Sequence, residues 1–245
     1  MAAVHADDMR KSLRNLLVGV SAIVALGTLS ACSGGSTPEA ESSSAPAPTT
    51  SAAATAAPLP ASIRYMADME SEGKKMTIGI SVDGTNVTAY ACNGVDDEAW
   101  FFGNQTDGKI DITSKFKDTL KADFNASDAK GDLTMNGVNY TFTAAAVTDP
   151  AGMYTADFEG VRASWVVRPD GSAVGVQFNG GISGRDFEQA ELQQLNAQQF
   201  QAQVRNKRKL QQAQQLIRLQ NGSFTSTING HDVIAQLVTG NTRFG

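Results

Sequence analysis

Cysteine and histidine are almost missing from this chain, two of each in 245 residues. So few cysteines supply no disulfide framework, and a folded domain has to rest on its apolar core. His5 precedes the first apolar run, and His231 stands beside Asp232 next to an Asn-Gly turn. A Ser-His-Asp or Cys-His set would need His231 brought to a serine or to Cys92, and no spacing suggests it. Cys92, closing Ala89-Tyr90-Ala91-Cys92, reads as a small buried strand residue. G-x-S-x-G is absent, and the glycines sit mostly at turns rather than in a phosphate-cradling loop. Asp96-Asp97-Glu98 lacks the alternation of a calcium loop and reads as a solvated turn. No catalytic residue, metal ligand or cofactor is expected.

Positive charge is also in short supply, with 20 basic against 25 acidic residues. The deficit is local: residues 62–190 carry 11 basic and 19 acidic side chains, residues 191–245 six and two. An acidic main body argues against nucleic acid as a partner, since phosphate neutralisation needs a basic face. The basic cluster Arg205-Asn206-Lys207-Arg208-Lys209 spreads around a helical projection and reads as a solvated segment.

No apolar run is long enough to span a bilayer as a helix. Residues 16–28 (LLVGVSAIVALGT), 13 in all, are uncharged and follow Arg10, Lys11 and Arg14. Basic n-region, short apolar core and small residues make a secretory signal over 1–31. Its ending, Leu29-Ser30-Ala31-Cys32, resembles the lipobox of bacterial lipoproteins. That resemblance implies cleavage between Ala31 and Cys32, diacylglycerol on the Cys32 sulfur, and a protein anchored by lipid on the outer face of the cell membrane. Acyl chains of this kind hold a protein at the membrane essentially permanently, at about 0.8 kcal/mol per buried methylene. With Cys32 so used, Cys92 has no partner within the chain.

Residues 33–60 hold five of the seven prolines and almost no apolar bulk. Together with Cys32 and residue 61 they are expected to form a disordered tether, reaching roughly 30 Å as a coil and about 85 Å if fully extended. Ser/Thr/Pro/Ala spacers of this kind resemble those of actinobacterial lipoproteins.

Residues 62–182 read as an antiparallel β domain. Met76, Ile78, Ile80 and Val82 alternate with small polar residues, and Asp83-Gly84 turns the chain into residues 87–91. Similar alternation surrounds Asp107-Gly108, Asn136-Gly137 and Pro169-Asp170-Gly171. About ten such strands predict a mainly β fold: an antiparallel meander, small barrel or sandwich. Residues 183–221 then read as one long Gln-rich helix, capped by Ser183 and Asp186, stopped by Asn221-Gly222 and bent near Phe200 and Val204. Residues 222–245 return as a β-hairpin around Asn229-Gly230.

Trp100-Phe101-Phe102 puts aromatics on both faces of a strand, so one face needs a second layer, the long helix being a candidate, or forms a binding surface. The surrounding segment, Ala89-Tyr90-Ala91-Cys92-Asn93-Gly94 and Glu98-Ala99-Trp100-Phe101-Phe102-Gly103, resembles small β domains of exported actinobacterial proteins. The reading that follows is a non-enzymatic envelope lipoprotein with an envelope protein, glycan or lipid as partner. The alternative is a lipid or small-molecule carrier with a barrel cavity lined by Trp165, Tyr140 and Phe142. A hydrolase built on His231 comes third.

Overall fold

The structure, a computed structural model, describes residues 59–244. Ala31, Cys32 and the signal and tether up to residue 58 lie outside the described residues. The first sheet contains β1 (Ser62–Ser71), β2 (Lys74–Asp83), β3 (Asn86–Cys92), β4 (Glu98–Asn104), β5 (Lys109–Thr113), β6 (Thr119–Phe124), β7 (Asp128–Met135) and β8 (Val138–Val147). They pair antiparallel in the order β4-β3-β2-β1-β8-β7-β6-β5. The sheet curls into a nearly closed barrel. Where β4 approaches β5, a Cβ on Gly103 would lie 2.8 Å from Ile112 Cδ1, so the missing side chain lets the two edges close.

Period-two patterning fills the barrel. Tyr65, Ile78, Ile80, Phe101, Leu120, Leu133 and Phe142 point inward into one core. Strands β5, β6 and β8 alternate buried and exposed positions along their length, as water on the outer face requires. Strands β2 and β3 do not: residues 76–82 and 87–92 are buried without interruption. The barrel wall at β2 and β3 is therefore covered from outside.

The cover is a second antiparallel sheet: β9 (Gly152–Phe158), β10 (Val161–Val167), β11 (Ala173–Phe178), β12 (Leu210–Gln212), β13 (Ile217–Arg218), β14 (Phe224–Ile228) and β15 (His231–Leu237). Its order is β12-β11-β10-β9-β15-β14-β13. Met66, Tyr90, Cys92 and Trp100 on the barrel wall pack against Met153, Val166, Val176 and Val238. Trp165, Phe224 and Ile228 form a separate core on the far side.

The long helix over 183–221 does not form. Two short helices, α1 (Gly184–Leu192) and α2 (Ala197–Gln203), are followed by a 3₁₀ turn, Arg205–Lys207. The expected start is present, with the Asp186 carboxylate accepting from the Ser183 N–H at 2.7 Å. Asn196 then starts a second helix by accepting from Gln199 N–H at 2.9 Å, which breaks the first. The rest of the segment is claimed by the second sheet. It pairs with β11 through β12 and with β14 through β13, and residues 213–216 cross between those two edges. Trp165 Nε1 donates to Gln214 O at 3.0 Å, and Ser226 Oγ donates to Gln215 O at 3.0 Å. Tertiary hydrogen bonds and burial of Leu216 outweigh the helix propensity of a Gln- and Leu-rich stretch.

The expected hairpin does form, with Asn229 and Gly230 at φ 52° and 84° in a two-residue turn. It is no separate module, because β15 also pairs with β9.

Candidate functional site

Three tight loops bring charge to one place. Between β3 and β4, Asn93 Oδ1 accepts from the N–H groups of Val95, Asp96 and Asp97, each at 2.9 Å. This fixes the turn that presents Asp97 and, as the first residue of β4, Glu98. Between β5 and β6, Ser114 Oγ accepts from the Phe116 and Asp118 N–H groups at 3.1 and 3.0 Å, turning Asp118 inward. The 3₁₀ turn after α2 supplies Arg205, with Arg208 next to it.

These residues form a buried ion network. Arg205 Nη2 lies 2.9 Å from Asp97 Oδ1 and 3.3 Å from Asp118 Oδ1. Arg208 donates to Glu98 O at 2.7 Å and to Asp97 Oδ1 at 3.1 Å. Glu98 accepts from Arg162 Nη2 at 2.9 Å and from the Tyr90 hydroxyl at 3.0 Å. Burial pushes the Glu98 and Asp118 carboxyls up, with Arg162 and Arg205 respectively pulling them back. Burial also draws Arg208 down and raises the Tyr90 hydroxyl well above its ordinary value. The two charge runs that read as solvated segments are thus internal only in part: Asp97, Glu98, Arg205 and Arg208 are buried or nearly so and take part in one network, while Asp96, Lys207 and Lys209 stay exposed as expected.

Beside the network, the outer face of β4 opens into a cleft of about 260 Å³. Trp100, Phe102, Phe116, Phe178 and Phe244 line it, with Lys115, Arg162 and Arg208 as the cations and Glu98 as the carboxylate. Phe244 stands edge-on to Trp100 at 4.7 Å and to Phe102 at 5.7 Å. The Arg162 guanidinium lies 4.9 Å from the Phe244 ring, 5.5 Å from Phe178 and 5.7 Å from Trp100. Two donors here have no hydrogen-bond partner although they are buried, Trp100 Nε1 and Arg162 Nε. A buried N–H without an acceptor costs roughly 1–3 kcal/mol, so such groups mark places where an acceptor belongs.

The aromatic triplet divides as strand geometry demands. Phe101 fills the barrel interior, whereas Trp100 and Phe102 face outward into the cleft. The layer over them is strand and the segment around Val238–Phe244, not a long helix. Sequence reading missed Arg162, Phe116, Phe178 and Phe244, the last lying more than 140 positions from Trp100 with no local signal. Tyr140 and Phe142 belong to the barrel core and Trp165 to the second sheet's core, so they do not line one cavity. His231 stacks on Phe158 at 4.3 Å beside its turn, whereas Cys92 is buried between the sheets. Among the described residues, no cluster of His, Cys, Asp and Glu has the makings of a metal site, and no helix is long and apolar enough to cross a membrane. Comparison with family models, curated proteins and solved structures found no match.

Proposed function

We propose that this chain is a non-enzymatic envelope lipoprotein, held at the membrane by lipid on Cys32, whose β unit binds an envelope component at the Trp100 cleft. The observation that carries the binding half is the pair of unsatisfied donors, Trp100 Nε1 and Arg162 Nε, on the wall of an aromatic cleft. The lipobox-like Leu29-Ser30-Ala31-Cys32 carries the anchoring half. A surface cleft is favoured over an enclosed carrier cavity because the barrel interior is filled. Tyr65, Ile78, Phe101, Leu120 and Leu133 expose no surface even to a water-sized sphere.

Two measurements test the two halves separately. Native protein should partition with membranes and carry diacylglyceryl mass at Cys32, and Cys32→Ala should be soluble; a soluble native chain would end the anchoring half. Envelope extract should change the tryptophan emission of the purified protein, and Trp100→Phe should abolish that change. If Trp100→Phe responds like the native protein, the cleft is not the site.

A further inference from the structure

Resting on that reading, we infer that the Trp100 cleft takes a planar ring bearing a carboxylate. Three features converge. The walls are aromatic: Trp100 and Phe102 stack on each other, and Phe244 packs edge-on against both beneath the Arg162 guanidinium, an arrangement that suits a further ring. The polar chemistry on offer is donation only: Trp100 Nε1 has no acceptor function, and Arg162 Nε is a charged donor. Of the three cations in the lining, Arg162 is paired with Glu98 and Arg208 with Asp97, whereas Lys115 pairs with no carboxylate among the described residues; Glu98 is in turn occupied by Tyr90 and Arg162. A neutral ring with one acceptor would use the walls but leave one donor orphaned. A cation would face Lys115 and two arginines whose carboxylate partners are already taken. An anion with two acceptor oxygens offers an acceptor to each donor and a partner to Lys115. The volume of about 260 Å³ admits one ring and a short side chain, not a fused polycycle or an acyl chain. Both donors are buried, so a lining side chain has to give way for the ligand to reach them.

The chain contains two tryptophans, and the other indole N–H, Trp165 Nε1, is bonded internally to Gln214 O. The ¹⁵N-labelled full chain therefore gives two indole cross-peaks, one reporter and one control. Phenylacetate is the probe and 2-phenylethanol its uncharged counterpart. Phenylacetate should move the Trp100 peak downfield and saturably while the Trp165 peak stays. By calorimetry, Arg162→Lys, which keeps the charge but loses Nε, should bind at least about tenfold more weakly. Trp100→Phe, which keeps a ring and loses the donor, should lose a similar factor. Equal binding of the two probes would overturn the carboxylate assignment and leave the cleft as a binding site. No movement with either probe would overturn the inference itself, and the anchoring and extract experiments would still decide the wider reading.

Discussion

Arg205→Met cuts the buried ion network at its centre. The guanidinium lies 2.9 Å from Asp97 and 3.3 Å from Asp118, with only 3% of its side chain exposed. At an effective dielectric constant near 20, each such contact has a gross attraction of about 5 kcal/mol. Most of that offsets the cost of taking the charges out of water, so intact pairs contribute little net stability. Removing one partner is different, because the carboxylates stay buried. Breaking a buried pair costs about 3–5 kcal/mol. The lower end applies here, since Asp97 keeps Arg208 and Asp118 keeps the Asn136 N–H at 3.0 Å. With a urea m-value of about 2 kcal/mol/M for a domain of this size, a loss of about 3 kcal/mol lowers the unfolding midpoint by about 1.5 M. The pH dependence identifies the cause. Burial already holds the Asp118 carboxyl above its ordinary value, and loss of Arg205 raises it further, so the folded variant binds more protons than the folded wild type and its stability falls as pH increases through that window. The deficit relative to wild type should be largest at pH 7.5 and shrink toward pH 5. A loss under about 1 kcal/mol, or one that is the same at both pH values, would refute this account.

Cys92 offers a second measurement. Burial pushes its thiol up to about 12, so thiol reagents at pH 8 should leave it unmodified in the native protein and label it completely in denaturant; rapid native labelling would mean that the two sheets separate readily. Asp68 offers a third. Its carboxylate accepts from Arg168 Nε at 2.8 Å and Nη2 at 2.7 Å, and the hydrogen bonds from Arg168 hold its pKa below the usual value of 3.8. The folded state therefore releases this proton more easily than the unfolded chain. Its stabilisation is present above pH 3.8 and disappears as pH falls through the depressed folded value. Because Asp68 is half exposed, Arg168→Ala should cost under about 1 kcal/mol in urea melts at pH 7, and the difference should vanish in acid; a persistent difference at low pH would point to packing instead.

Sequence reading succeeded where structure is decided locally. Asn136-Gly137 and Asn229-Gly230 adopt the positive φ angles their chemistry favours, and the alternation of β8 matches a wall with water on one side. It failed where distant partners decide. The first strand, β1, gives only a weak signal although Ile63, Tyr65, Ala67 and Met69 alternate, because Met66 and the charges between them blur the pattern and Glu72-Gly73 is a weak turn signal. Leu210 to Arg218 has a helical stripe by local pattern, yet both of its ends complete sheet edges formed by residues outside it. Asp97 and Arg205 each read as water-facing because the partner lies more than a hundred residues away. Half of the candidate site was legible for the same reason. Trp100 and Phe102 had to share a face, but Phe244 and Arg162 reach that face only through the tertiary fold.

One short crossing segment has a consequence for self-association. Strands β12 and β13 are opposite margins of the second sheet, yet both belong to the stretch from Leu210 to Arg218. Edge strands this short give a neighbouring molecule almost no ladder to extend. The protection is all-or-none. Loosening that single stretch bares β11 and β14 at once, and two newly open strands on one molecule suffice to link it to two others. Self-association by strand pairing would then grow as a chain rather than stop at a dimer.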